Sequence, residues 1–189
     1  MATNPNDPDW TDLRADFNLW EGRVPHMYLD TKGLVTVGVG TMLPDAATAQ
    51  TLPFVRRDNG AAAKPDEIQR DFDAVRVQPK GLLAGSYRKF TQLDLPDAAI
   101  DALLKTTADK FLADLAARFA GWAGYPAPAK RALLDMAYNL GIAGLMAFVR
   151  LKAAVEARNW DAAARECARN GISQTRNDWT RDLFLKCKA

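Results

Sequence analysis

The feature that most constrains this chain is one long amphipathic run. Between Asp97 and Ala120, the residues Ile100, Leu103, Leu104, Phe111, Leu112, Leu115 and Phe119 recur at helical period, and Pro96 marks the start. At about 1.5 Å rise per residue such a helix spans roughly 35 Å. That is long enough to join two lobes and serve as core for both. The 189 residues allow one well-packed domain or a small domain with a lobe attached. The expected class is α+β, in a single domain of three parts: an N-terminal helix and mixed lobe over about 1–96, a connecting helix over 97–120, and a helical lobe over 121–189.

Ahead of the long helix, Asp9 reads as an N-cap, followed by Trp10, Leu13, Phe17 and Trp20 at helical spacing. Gly22 and Pro25 stop this helix and leave Glu21 at or just beyond its end. Two short strands, 27–29 and 34–39, flank Asp30-Thr31-Lys32-Gly33, a reverse turn with Gly33 at the position needing positive φ. In the second strand Val35, Val37 and Val39 share the face expected to be buried, and Leu34, Thr36, Gly38 and Gly40 share the other. Two glycines on one face imply close approach by backbone or ligand, or else a bulge or twisted hairpin. Residues 44–66 read as loop, with a helix opening at Pro65 and running through Phe72 and Val75. The stretch 78–95 has no clear assignment. Pro79, Gly81 and Gly85 break it, while Leu82, Leu83, Tyr87 and Phe90 give it apolar surface to bury.

Past the long helix, shorter helices are expected from Pro128 to Leu140 with Gly141 as the stop, over 145–157, over 160–169 with Asn159 as cap, and from Thr175 to Leu185. Trp122, Trp160 and Trp179 occupy packing positions. Two cysteines, Cys167 and Cys187, are too few for a disulfide scaffold and suit no metal site, although one bridge between them is open. The single histidine, His26, sits beside Pro25 in what reads as an exposed loop. No metal and no cofactor are expected. From Arg118 onward there are 12 basic and 6 acidic residues, against 13 and 17 before it, so the net +2 divides into +6 and −4. A basic surface beside an acidic site suits an anionic polymer, and a merely solvated surface explains the excess equally well. The opening MATNPNDPDW has neither a basic nor an apolar leader region, so synthesis without a secretory signal is expected. No run of apolar residues is long enough to span a bilayer.

Glu21, Asp30 and Thr36 can line one wall of a cleft if the hairpin folds back on the first helix. Two carboxylates flanking a bond are what glycoside hydrolysis needs: one neutral, to protonate the leaving oxygen, and one ionised, to activate water or attack the sugar. A helix end suits the neutral role of Glu21, and a polar turn suits an ionised Asp30. On the residues alone, an aspartate opening a turn and a surface glutamate account for the same pattern.

Glu21, Tyr28, Asp30, Thr31, Gly33, Thr36, Gly38 and Gly40 together resemble the signature of the phage-type lysozymes, glycoside hydrolase family 24. The resemblance resumes at 129–141 (AKRALLDMAYNLG), at Phe148, at 159–164 and at 173–177, covering about half the chain. It implies a lysozyme-like two-lobe fold and cleavage of the β-1,4 bond between N-acetylmuramic acid and N-acetylglucosamine in peptidoglycan. It further implies Glu21 as general acid, Asp30 as the group activating water, and Thr36 holding that water or the sugar. Gly38, Tyr138, Asn139 and Gly141 match substrate-binding positions, with core packing an equal alternative for Tyr138. Tyr28 is expected to pack between hairpin and helix. Three departures stand out. Thr41 replaces a histidine usual after the second glycine. Asp178 stands where the family tends to carry an arginine that pairs with the catalytic glutamate, with Arg176 and Arg181 nearby. The segment 44–95 is longer than the family's small lobe.

Related bacteriocin and secretion-effector muramidases carry the same three residues. The expected partners are therefore peptidoglycan glycan strands, and an immunity or inhibitor protein if the chain is an effector. A monomer is expected, with no nucleic acid and no membrane insertion. It would act on the wall from the periplasm or outside, after delivery by holin, phage particle or secretion system. An inverting mechanism is expected, with the carboxyl groups about 6.5–9.5 Å apart. Two alternatives remain: a chitinase- or chitosanase-like glycosidase, and a non-catalytic phage-tail or glycan-binding module. The basic C-terminal half carries no aromatic and basic interleaving of the kind nucleic-acid binders use.

Overall fold

Asp9 caps the first helix: the Thr11 N–H donates to its Oδ1 at 2.6 Å, supplying one of the orphan donors with an acceptor. The computed structural model describes residues 5–187. In chain order the elements are helix Trp10–Trp20 (α1), strands Val24–Leu29 (β1), Val35–Gly38 (β2) and Thr41–Met42 (β3), helix Ala46–Gln50 (α2), strand Val55–Arg56 (β4) and helix Pro65–Arg76 (α3). A 3-10 helix Ala84–Phe90, strand Leu93–Asp94 (β5) and helix Asp97–Arg118 (α4) follow. The chain ends with Ala127–Met146 (α5), Val149–Glu156 (α6), Trp160–Glu166 (α7) and Gln174–Leu185 (α8). About 58% of the chain is helical and the sheets are small and antiparallel, so the class is α+β. The chain divides into a mixed unit, Glu21–Thr106, and a helical unit that holds α1 and everything from Thr107 onward. The first helix thus groups with the helical unit, whereas its place in sequence puts it with the mixed lobe.

In the mixed unit β1, β2 and β3 form one sheet in that order. Tyr28 stands opposite Thr36 and Leu29 opposite Val35, and a register irregularity lies between Val24 and Tyr28. All four residues of β2 are buried, so the alternation expected there fails. α3 packs on both β1 and β2. Ile100 of α4 fills the space at Gly38, its Cγ2 only 3.2 Å from where a Cβ would stand. The close approach implied by that glycine is therefore made by a side chain of the same unit.

The segment 44–66, expected as loop, carries two short elements. α2 is capped by Asp45, whose Oδ1 accepts from the Thr48 N–H at 2.7 Å, and β4 pairs with β5. Five helical and two strand residues are too few to show a period. Within 78–95 the 3-10 helix buries Tyr87 completely, and its hydroxyl donates to the Pro79 carbonyl at 2.7 Å. α3 opens at Pro65 as expected, with Glu67 accepting from the Lys64 N–H at 2.7 Å.

α4 ends at Arg118, two residues short of the expected bound. Its buried positions are Ile100, Leu104, Ala108 and Leu115, with Phe119 buried just beyond; Leu103, Phe111 and Leu112 are only half-buried.

In the helical unit Gly141, at φ 73° and ψ 162°, is non-helical, so the helix that opens α5 stops there as expected and a second helical stretch continues across the kink to Met146. The next helix accordingly starts at Val149 rather than 145. Asn159 caps α7 through the Ala162 N–H at 3.0 Å, and Ser173 caps α8 through the Arg176 N–H at 3.2 Å. α7 stops at Glu166, before the expected 169. Trp122 and Trp160 both pack on Tyr125, and Trp179 packs on Trp20 at 5.6 Å, as their spacing implied. Cys167 and Cys187 are buried free thiols, each pushed by burial up to about 11.

Deepest in this unit is a charge cluster that sequence reading did not single out. Asp135, mid-way along α5, accepts from Arg169 Nη2 on Oδ2 at 2.6 Å. Its Oδ1 accepts from Arg176 Nε at 2.9 Å and Nη2 at 2.6 Å. Thr180 Oγ1 accepts from Arg169 Nη2 at 2.7 Å. Among the described residues no single helix is long and apolar enough to cross a membrane; α5 and α6 reach that only as a pair bent by 100°. The leader-free reading of the first residues falls partly on 1–4, outside the described residues.

Candidate active site

Glu21 immediately follows the last residue of α1 and is half-buried. The chain after it is held by Arg23, which donates to Asp97 Oδ1 at 3.0 Å, to Asp101 Oδ1 at 2.9 Å and to the Asp97 carbonyl at 2.9 Å. That clamp fixes where β1 begins, three residues beyond Glu21.

Asp30 closes the hairpin. Its Oδ1 accepts from the N–H groups of Lys32 at 2.9 Å and Leu34 at 2.8 Å. Its own N–H donates to the Leu34 carbonyl, and its carbonyl accepts from the Gly33 N–H, both at 3.0 Å. Gly33 takes φ 86°, the left-handed conformation its place in the turn demands. One carboxylate oxygen is thus committed to the turn, and among the described residues nothing donates to Oδ2. A carboxylate aimed this way by its own backbone needs no further side chain to orient it.

Thr36 lies across the sheet from Tyr28 and is 2% exposed. Its hydroxyl donates to the Leu34 carbonyl at 3.0 Å. The proton is spent there, so toward anything else Thr36 Oγ1 can only accept. Tyr28 links the two acids electrostatically. Burial pushes its phenol above the ordinary range, and the charges of Asp30 and then Glu21 push it further. Each anion near a phenol disfavours the phenolate, so Tyr28 stays neutral and keeps its O–H as a donor. Tyr28, expected as a packing residue, thus feels the charge of both carboxylates.

Beside Asp30 opens a groove of about 470 Å³, lined on one side by Tyr28, Leu29, Asp30 and Thr31 and on the other by residues 81–84. Sequence reading gave 81–84 no role. The signal was present in Leu82 and Leu83, a leucine pair in a segment with no period to bury it. Leu82 is 42% and Leu83 83% exposed.

The remaining expected residues are placed as follows. Gly38 lies buried under Ile100. Tyr138, Asn139 and Gly141 belong to the helical unit. There the Tyr138 ring packs on Phe17 at 4.7 Å and Phe111 at 5.7 Å, Asn139 is exposed, and Gly141 kinks α5. Arg181 is bound to Asp178 at 2.6 Å and Asp182 at 2.8 Å on its own helix. Arg176 holds Asp135 and lies over the Trp20 ring at 5.9 Å. Thr41 pairs with Val37 at the start of β3.

His26 is corrected. It lies on β1 and is 4% exposed, not in an exposed loop, and its Nε2 stands 3.0 Å from the Ala84 carbonyl. Burial outweighs that bond and lowers its pKa. A neutral ring with the proton on Nε2 fits this contact and leaves Nδ1 buried without a partner among the described residues.

Among the described residues no cluster of three or more histidine, cysteine and acidic side chains is arranged to hold a metal ion. No protein-family model matches the chain, and no curated protein matches its sequence.

Proposed function

We propose that the chain is a muramidase of lysozyme-like two-lobe architecture. It hydrolyses the β-1,4 bond between N-acetylmuramic acid and N-acetylglucosamine, with Glu21 as acid and Asp30 as base. The observation that carries this reading is the groove that Asp30 lines with Tyr28, a phenol on which the charges of both Asp30 and Glu21 act.

In this reaction the Glu21 carboxyl gives its proton to the glycosidic oxygen as the C1–O4 bond breaks. A water attacks C1 from the other face and passes a proton to Asp30 Oδ2, the oxygen the turn does not use. Its second hydrogen is directed to Thr36 Oγ1, which can accept but not donate. That leaves an oxygen lone pair for C1. Gly38, Tyr138, Asn139 and Gly141 enter only through the family resemblance, as substrate contacts. Attack by water on a β-linked sugar inverts the anomeric centre.

The test is cleavage of purified peptidoglycan, followed by turbidity and by reducing-end analysis. Glu21→Gln should abolish cleavage while the thermal midpoint stays equal or rises, because a carboxyl placed for chemistry is not placed for stability. Residual activity above about a tenth of wild type removes Glu21 from the acid role, since an essential proton donor contributes about a hundred-fold or more. Product anomers read by NMR in the first minutes should be α, and initial β product excludes inversion.

A further inference from the structure

We infer that a second pocket of the mixed unit, between α3 and the chain entering β5, binds a small zwitterion of the amino-acid type, its ammonium on Asp71 and its carboxylate on Arg56 and Arg70. The pocket shares no residue with the groove beside Asp30, so the inference goes beyond the muramidase reading and does not depend on it. Its volume is about 230 Å³, below the roughly 300–1,000 Å³ of drug-sized ligand sites. The occupant is therefore a small metabolite.

The first observation is a buried carboxylate with an oxygen to spare. Asp71 lines the pocket from α3 and is 5% exposed. Its Oδ2 accepts from the N–H groups of Gln92 and Leu93, both at 2.9 Å. Among the described residues nothing donates to its Oδ1. An asparagine oxygen would accept the same two N–H groups without burying a charge. Burial raises the Asp71 carboxyl above its ordinary range, so the charge costs stability that the backbone contact does not require. A carboxylate kept at that cost, beside a pocket and with one oxygen unspent, suits a ligand that brings a positive donor.

The second observation concerns the cations in the same pocket. Arg56 donates to Glu67 through Nε at 2.8 Å and Nη2 at 2.9 Å. Its Nη1 makes no hydrogen bond among the described residues. Arg70 donates to Asp66 through Nη2 at 2.8 Å, and its Nε and Nη1 are likewise unspent. A guanidinium held along one edge still offers its other N–H groups to a second carboxylate.

The third observation is the balance of charge. Arg56 and Arg70 are each paired with an acid, whereas Asp71 and Asp58, which also lines the pocket, make no ion pair among the described residues. A bare anion would face both of those acids, and a bare amine would leave the arginine edges unused. A molecule that carries an ammonium and a carboxylate on one carbon uses both sets of groups.

The recognised groups are those two charges, so L-alanine serves as the probe, with ethylamine and propionate each carrying one charge alone. At about pH 7 all three ligand charges are present. L-Alanine should shift the backbone amide NMR signals of Gln92 and Leu93 in a saturable way. Ethylamine and propionate should each bind at least about ten-fold more weakly, since a hydrogen bond to a charged group contributes that much. Asp71→Asn should weaken L-alanine binding by about ten-fold or more without lowering the thermal midpoint. Arg70→Gln, a change at an exposed pair, should weaken L-alanine binding and leave ethylamine binding unchanged. If L-alanine moves neither amide, if Asp71→Asn binds it as tightly as wild type, or if ethylamine binds as tightly as L-alanine, the inference is overturned.

Discussion

The mixed and helical units bury charge in different ways. In the helical unit, Asp135 sits inside a helix whose own backbone consumes every nearby N–H, so only side chains can compensate it. Arg169 and Arg176 do so, with Thr180 beside them. In the mixed unit, Asp71 is as buried, yet its Oδ2 accepts from the backbone N–H groups of Gln92 and Leu93, both at 2.9 Å. Asp30 uses Lys32 and Leu34 in the same way. Short strands and turns leave backbone donors unpaired, and carboxylates satisfy them. A helix spends its acids on arginine, and a loop spends them on its own backbone. The difference explains why the acid proposed for chemistry on the hairpin has an oxygen to spare while Asp135 has none.

The largest expected effect breaks the comparison at Asp135. Asp135→Asn leaves two buried guanidinium groups facing an amide and should destabilise by about 3–5 kcal/mol in chemical denaturation. Asp71→Asn, by contrast, keeps an oxygen for both N–H groups. Because burial already holds the Asp71 carboxyl above its ordinary pKa, this change should be near neutral or stabilising at pH 7. Equal losses at the two positions would show that the units do not differ in this respect.

Apolar burial is the control, since it should not distinguish the units. Leu104→Ala in the mixed half of α4 and Leu115→Ala in the helical half remove side chains 2% and 0% exposed. Each should lose about 2–5 kcal/mol. Phe111→Ala should lose less than either, as that ring is only half-buried. Asp71→Ala comes next, at about 1–3 kcal/mol for a backbone donor left unpaired.

The smallest effect is confined to acid. His26 has its pKa lowered, by burial first, against the Ala84 carbonyl, with Arg88, Asp94 and Arg57 as the charged groups acting on it. A group held neutral in the fold takes up its proton more readily when unfolded. Its contribution is therefore fully present above the ordinary histidine value of 6.5 and lost as pH falls below it. Between pH 7 and 5 wild type should lose stability that His26→Gln does not lose, because glutamine can donate to Ala84 without titrating. Parallel pH profiles for the two would exclude the contact as the cause.

Several elements were legible because their signals are local. The Asp9 cap and the spacing of Trp10, Leu13, Phe17 and Trp20 specify α1, Pro65 with its two following acids specifies α3, and Gly33 specifies the turn after Asp30. Each is decided by backbone sterics or a hydrogen bond within a few residues. Glu21, Asp30 and Thr36 could be named as candidates from the sequence, but their proposed roles come from the family resemblance and not from local signals of this kind. What sequence alone could not decide is everything that depends on a partner distant in the chain. His26 reads as loop until β1 extends back to Val24 and Ala84 arrives 58 residues later. The far face of β2 reads as open until Ile100 covers Gly38. Asp135 reads as one acid in a helix until Arg169 and Arg176 reach it from α7's end and α8. The groove beside Asp30 exists only because 81–84 is brought against the hairpin, and no period in that segment announces it. Local propensity acts over a turn or two and is written in neighbouring residues. Burial and charge compensation act through space, and only the folded chain decides them.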